Sequence, residues 1–203
     1  LAVLLAYSFT KRFTWLAHGF LGLSLGLAPP AAWLAVRGSL AGELAVPLLL
    51  GAAVLAWFAC VDLIYACQDE EYDRSAGLHS VPARYGRRAA LTLSRALHVA
   101  TVVLLCALWW RADLGWIYHA SVGLAAALLF WEHSLVSPRD LSRVDMAFFT
   151  LNGWVGVGLF AGLALDLQKV ESGVSPEPDL RCRVAQPPAA RLPGHESSVR
   201  PAT

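Results

Sequence analysis

Five stretches of this chain, residues 14–36, 44–61, 89–110, 114–131 and 146–165, each contain at most one Asp, Glu, Lys or Arg. A helix rising 1.5 Å per residue needs about 20 such residues to cross hydrocarbon roughly 30 Å thick. In lipid the backbone must satisfy its own hydrogen bonds, so the stretches are expected to be helices. The expected fold class is therefore all-α: a multi-spanning transmembrane helical bundle with about five complete spans. Composition agrees, since 57% of residues are hydrophobic and only 15% charged, too apolar for an ordinary soluble domain. A net charge of +1 without a basic patch excludes nucleic acid as a partner and leaves the lipid bilayer as the surroundings. The four cysteines show no CxxC spacing, and Cys60 and Cys106 lie in apolar runs. They read as small buried residues rather than as a disulfide or zinc framework.

The apolar run at residues 1–10 is too short to span, lacks signal-peptide features and starts at Leu1 rather than Met. It is expected to be a helix stub, the last turns of a helix from an N-terminal part that is missing. Within the first full stretch, Gly22, Gly26, Pro29 and Pro30 are tolerable if neighbouring helices cover the freed backbone groups. Arg95 and His98 place the first turns of the third stretch at the interface or toward the protein interior. Basic residues alternate along the chain. Lys11 and Arg12, then Arg74, Arg84, Arg87 and Arg88, then Arg139 and Arg143 fall on one side, and single Arg37 and Arg111 on the other. The positive-inside rule makes the rich side cytoplasmic. Trp109, Trp110, Trp116, Tyr118 and Trp131 lie near predicted helix ends, as an interfacial aromatic belt would. Residues 1–167 form the membrane domain. Residues 168–203, rich in Pro, Ser, Arg and Glu, are expected to be a disordered tail.

The segment from Asp62 to Arg74 is dense in acid and leaves one span on the cytoplasmic side. If the helix continues, the spacing puts Asp62, Tyr65, Asp69 and Asp73 on one face, with Glu70 and Glu71 elsewhere. Carboxylates stacked on one stripe repel one another, a cost relieved by a divalent cation. Magnesium suits few carboxylates together with water and phosphate oxygens. The plainer reading is a solvated loop. Asp62 argues against it, because about 18 uncharged residues precede it and an ionisable residue at that depth is a functional hypothesis by default. The loop continues through Gly77, His79, Ser80, Arg84, Tyr85, Gly86, Arg87 and Arg88, which places cations beside the acids. Carboxylates for a metal and guanidinium groups for phosphate oxygens suit a metal-diphosphate complex.

The pattern Asp62-x-x-Tyr65-Ala-x-x-Asp69-x-x-x-Asp73, followed by Gly77-x-His79-Ser80 and Gly86, resembles the second aspartate-rich motif of the UbiA superfamily of membrane prenyltransferases. The segment 7–14 and the span carrying Gly22 and Gly26 resemble the region around that family's fifth helix. Glu132-His133-Ser134-Leu135, Asp140 to Asp145 and Phe148 to Gly153 are also similar to family members. The resemblance covers residues 1–165. It implies nine helices and two aspartate-rich motifs around a central cavity, of which this chain carries only the second. It implies transfer of a polyprenyl group from polyprenyl diphosphate to an aromatic acid, with Mg2+ as cofactor, in a bacterial inner membrane. The acceptor is 4-hydroxybenzoate in the best-known group, on the path to ubiquinone. His79-Ser80, where those enzymes carry Lys before Ser-Thr, looks more like the menaquinone branch, with a dihydroxynaphthoate-type acceptor.

On that resemblance Asp69 and Asp73 are the first choices for magnesium, with Asp62 a further ligand or a group orienting the acceptor. Lys11, Arg12 and Arg84 are candidates for diphosphate contact, set against mere anchoring of helices at the cytoplasmic face. Tyr65 either lines the acceptor cavity, stabilises a cation through its ring, or is an interfacial aromatic. His79 contacts phosphate or the acceptor carboxylate, or is simply solvated. Asn152 and His18 are read as structural hydrogen-bonding residues inside the bundle. Glu132 and His133 stay outside the expected site, as an interfacial pair. A non-enzymatic transporter with Asp62 on an ion path, and a UbiA-type transferase with another acceptor such as a lipid or haem precursor, are the rival readings. The residues present are expected to be inactive on their own.

Overall fold

The computed structural model describes residues 2–39 and 44–173. Eight α-helices are formed there: α1 (Ala2–Thr10), α2 (Ala17–Gly26), α3 (Ala28–Arg37), α4 (Ala45–Ala66), α5 (Glu70–Ser75), α6 (Val81–Arg111), α7 (Trp116–Leu135) and α8 (Asn152–Gly173). A π-helical turn, Met146–Leu151, leads into α8. Among the described residues no strand forms, and one isolated bridge joins Ser137 to Asp140. The fold is an all-α, multi-spanning transmembrane bundle.

Four segments are long and apolar enough to cross a membrane: Ala17–Arg37, Ala45–Ala66, Val81–Arg111 and Met146–Lys169. The fourth predicted span, residues 114–131, corresponds to α7. It is 20 residues long, but His119, Glu132 and His133 dilute its apolar character. The first span is not one continuous helix, because Pro29 and Pro30 lack the N–H groups that would bond back across the join. α2 therefore ends at Gly26, and α3 starts at Ala28 with proline in its first turn. The second span runs past its expected end at residue 61, so Asp62 and Tyr65 are part of α4. The third lies in α6, which starts at Val81, is interrupted at Gly86 and resumes just beyond it, close to the expected start at residue 89.

α4 is the hub and packs on α2, α3 and α6. Its inner face is small, with Gly51, Ala53, Ala56, Ala59 and Cys60 all shielded, so neighbouring backbones come close. A Cβ on Gly26 would lie 2.6 Å from the Gly51 carbonyl oxygen, and one on Gly22 would collide with the Leu55 carbonyl oxygen. Cys60, Leu63 and Ile64 of α4, with Cys67 just after it, form a core with Val81, Ala90 and Leu91 of α6 and with Val136, Val144 and Ala147. A second core gathers Leu105 and Leu108 of α6, Leu114, and Tyr118 and Val122 of α7 against Ala53.

Several polar residues inside the spans find partners on other helices. Trp57 Nε1 donates to Asn152 Oδ1 at 2.6 Å, and Asn152 Nδ2 donates to Glu132 Oε1 at 3.3 Å and to the Ala147 carbonyl at 2.9 Å. Asn152 thus has the interhelical role expected of it. Asp166 of α8 accepts from the backbone N–H groups of Gly115, Ile117 and Tyr118, capping the first turn of α7 from another helix. Trp110, Trp116 and Trp131 are exposed, as an aromatic belt requires, but Tyr118 is only 2% exposed. Tyr118 is a core residue whose hydroxyl donates to the Leu105 carbonyl. α8 runs to Gly173, into the predicted tail. The rest of that tail lies outside the described residues.

Candidate functional site

The acidic segment does not continue α4 as a single helix. Three successive N–H groups, on Cys67, Gln68 and Asp69, bond back only three residues, to the carbonyls of Ile64, Tyr65 and Ala66. This tightening ends α4 and lets the chain turn into α5. The expected single stripe of Asp62, Tyr65, Asp69 and Asp73 is therefore corrected. Asp62 and Tyr65 lie on the last turns of α4, Asp69 caps α5 and Asp73 lies within it. The break separates carboxylates that one helix would have stacked.

Tertiary contacts bring Asp73, and Asp62 through His18, beside residues 78–81. Asp73 is buried, and its Oδ2 lies 3.3 Å from Lys11 Nζ, which is half-exposed. The Leu78 N–H donates to the Asp73 carbonyl, and the His79 N–H donates to the Lys11 carbonyl. The stretch after α1 is thereby stitched to the loop after α5. Next to it, His18 Nδ1 lies 2.6 Å from Asp62 Oδ2. The Val81 N–H donates to His18 Nε2 at 3.4 Å. A nitrogen that accepts leaves its opposite partner to donate, so this contact sets the tautomer in which Nδ1–H points at Asp62. His18 is 2% exposed, and Asp62 keeps part of its surface open.

Asp69 is half-exposed and its side chain makes no capping hydrogen bond to α5. Among the described residues, Asp62, Asp69 and Asp73 do not close on one point tightly enough to form a three-carboxylate cage. Tyr65 is half-buried against Phe148 of the π-helical turn, with ring centroids 4.8 Å apart. The extra residue of that turn is what brings Phe148 over α4. Arg12, His79 and Arg84 are exposed. Arg12 stacks over Phe9 and Arg84 over Tyr85. Arg84 and Tyr85 ride on the first turn of α6, which Ser80 caps by accepting from the Ala83 N–H. Gly86 then breaks the helix at φ +83°, a conformation open to glycine.

Behind the acids, Glu70 is held by Arg74 and Arg87, each at 2.8 Å, which ties α5 to α6. Cys67 is inert despite its place in the loop, because burial pushes its thiol up to about 12. It donates to the Leu63 carbonyl. The arrangement has the chemistry of a site for a metal-bound anion. It offers hard carboxylate oxygens with an ammonium and several guanidinium groups on one side of the bundle.

Sequence reasoning missed two features. His18, expected only as a structural hydrogen-bonding residue inside the bundle, is bound to Asp62, a partner the sequence did not identify. Glu132 is fully buried, and His133 meets His98 at 3.0 Å between α6 and α7, rather than forming an interfacial pair.

The UbiA prenyltransferase family model matches residues 1–154. The chain is 35% identical over 168 residues to the mitochondrial 4-hydroxybenzoate polyprenyltransferase of Arabidopsis thaliana, covering 81% of this chain and 40% of that protein. It is 36% identical over 165 residues to the 4-hydroxybenzoate octaprenyltransferase of Klebsiella pneumoniae, covering 81% of this chain and 56% of that protein. A solved apo structure of a UbiA homolog from Aeropyrum pernix K1 superposes with a TM-score of 0.71 at 35% identity, over 82% of this chain and 61% of that one. The chain spans about half the length of the curated relatives it matches. With helices, aspartate motif and fold all in agreement, the chain belongs to the UbiA prenyltransferase family.

Proposed function

We propose that the protein transfers a polyprenyl group from a polyprenyl diphosphate to an aromatic acid, with 4-hydroxybenzoate as first acceptor and a dihydroxynaphthoate as second. The carrying observation is the pairing of buried Asp73 with Lys11 beside the His18-held Asp62, where two membrane helices meet the loop at 78–81. The names of the relatives support the reaction class and favour 4-hydroxybenzoate. The donor set is all oxygen, which fits Mg2+ rather than a thiophilic ion.

Asp69 and Asp73 would hold the magnesium ion, and bound Mg2+ would neutralise charge building on the departing diphosphate. Asp73 also fixes Lys11, so that the ammonium stays at the mouth of the site and meets phosphate oxygens. Arg84 and Arg12 are within the same basic face and draw the anion in. Asp62, oriented by the Nδ1–H of His18, faces the acceptor and receives charge that develops there. Tyr65 places its ring where an allylic cation is stabilised by π density. The apolar helices keep water from that cation. The active-site loops lie on the cytoplasmic side of a bacterial inner membrane.

The test is prenyl transfer by the complete protein in membranes, with a polyprenyl diphosphate, 4-hydroxybenzoate and added magnesium. Replacing Asp73 or Asp69 by Asn removes charge stabilisation of several kcal/mol and slows transfer by about 100-fold or more, with insertion preserved. EDTA abolishes transfer and magnesium restores it. Full activity in both variants rules the assignment out, and competition between the two acids decides the acceptor.

A further inference from the structure

Away from the aspartate site, three soft or borderline ligand side chains from three helices converge inside the bundle. Cys60 of α4, His98 of α6 and His133 of α7 each bring one ligand atom within 4.8 Å of the others. Cys60 is 0% and His98 is 3% exposed, and His133 is partly buried. The two imidazoles meet at 3.0 Å, His98 Nδ1 to His133 Nε2. His98 Nε2 is buried with no hydrogen-bond partner. Cys60 Sγ donates to the Ser94 carbonyl at 3.1 Å. Apolar packing leaves these groups unexplained, because cysteine and two histidines at one depth cost desolvation that alanine and leucine would not.

We propose that Cys60, His98 and His133 form a Zn2+ site joining α4, α6 and α7, with water as the fourth ligand. Thiolate and imidazole are the donors zinc selects, and three of them leave a fourth position in its tetrahedron. Ligand atoms around zinc stand roughly 3.5 Å apart, so the cluster closes by about an ångström and the imidazole pair opens slightly. On binding, the Cys60 thiol gives its proton to solvent and forms the sulfur–zinc bond, with no change of oxidation state.

A zinc ion with one thiolate carries one net positive charge. Glu132, 0% exposed and within electrostatic range of Cys60, would balance it in its carboxylate form. Its Oε2 has no hydrogen-bond partner. Arg95, the other charged group near His133, is exposed and lines the mouth of the same groove. The open fourth position has a route in. His98 and His133 line a groove of about 420 Å³ between α6 and α7, walled by Val99, Val103 and Phe130.

The site does not depend on the prenyl-transfer reading, and its test reads metal rather than activity. The complete protein, purified in detergent without added chelator, is analysed for bound metals by mass spectrometry. About one equivalent of zinc is expected, falling at least tenfold in Cys60→Ser and in His133→Gln. Removing zinc lowers the thermal midpoint of the wild type, and adding it back restores the midpoint. Should a variant fail to fold, cobalt exchanged into the wild type decides. A thiolate-to-cobalt charge-transfer band supports the site and its absence overturns it. Wild-type protein without zinc, or zinc retained in both folded variants, likewise overturns it.

Discussion

At the scale of single residues, function and stability both rest on ionisable groups held by a partner from another helix. His18 spends both ring nitrogens, one on the Val81 N–H and one on Asp62. His18→Ala frees Asp62 to reorient and is expected to lower prenyl transfer about 10- to 100-fold, in the manner of an orienting partner behind a site group. Membrane yield should stay near wild type, and a rate equal to wild type would show that Asp62 needs no such orientation. Asp166 is the structural counterpart. Asp166→Ala leaves three N–H groups at the start of α7 without their acceptor. The expected cost is about 1–3 kcal/mol, read as a lower thermal midpoint in detergent. Of the candidate residues, Asp62 was legible because a carboxylate so close to an apolar span is conspicuous. His18, His98 and Glu132 were not, since one histidine or glutamate in a span says nothing about which helix it faces.

At the scale of elements, the helices were legible and their interruptions only partly so. The apolar lengths locate α4, α6 and α8 because lipid leaves the backbone no alternative. Pro29 and Pro30 mark the join between α2 and α3. The end of α4 at Ala66, the break at Gly86 and the π-helical turn at Met146–Leu151 were not foreseen. None leaves a pattern in hydropathy, because each is chosen by what packs across it. The α2–α4 contact gives the sharpest test at this scale. Gly26→Leu forces side-chain atoms into the Gly51 carbonyl and Leu55. A loss of about 1–3 kcal/mol is expected, with Gly19→Leu neutral because nothing lies within 4 Å of that position. Equal midpoints for the two variants would mean that the helices are not in close contact.

At the scale of the molecule, Lys11 follows α1, Arg74 lies in α5, and Arg84, Arg87 and Arg88 lie in the first turns of α6, the elements that flank the aspartate cluster. The charge bias is the ground for the proposed orientation, with this side cytoplasmic. A cysteine introduced at exposed Ser75 in a background lacking other reactive cysteines should be labelled by a membrane-impermeant thiol reagent only after the cytoplasmic face is opened. Labelling in intact cells would invert the proposed topology and place the proposed diphosphate site on the outer face.

The sequence by itself determined that this chain is a bundle of membrane helices, which side carries the cations and which loop carries the carboxylates. Those properties depend on composition and linear spacing, and the bilayer reads both directly. Tertiary structure decided the partners: Lys11 with Asp73, His18 with Asp62, Glu132 with Asn152, and Cys60 with His98 and His133. Apolar helices are alike in sequence but not in rotation. Which face of each meets its neighbour is set by close contacts such as Gly26 on Gly51, and by where proline, glycine and a π turn interrupt the backbone.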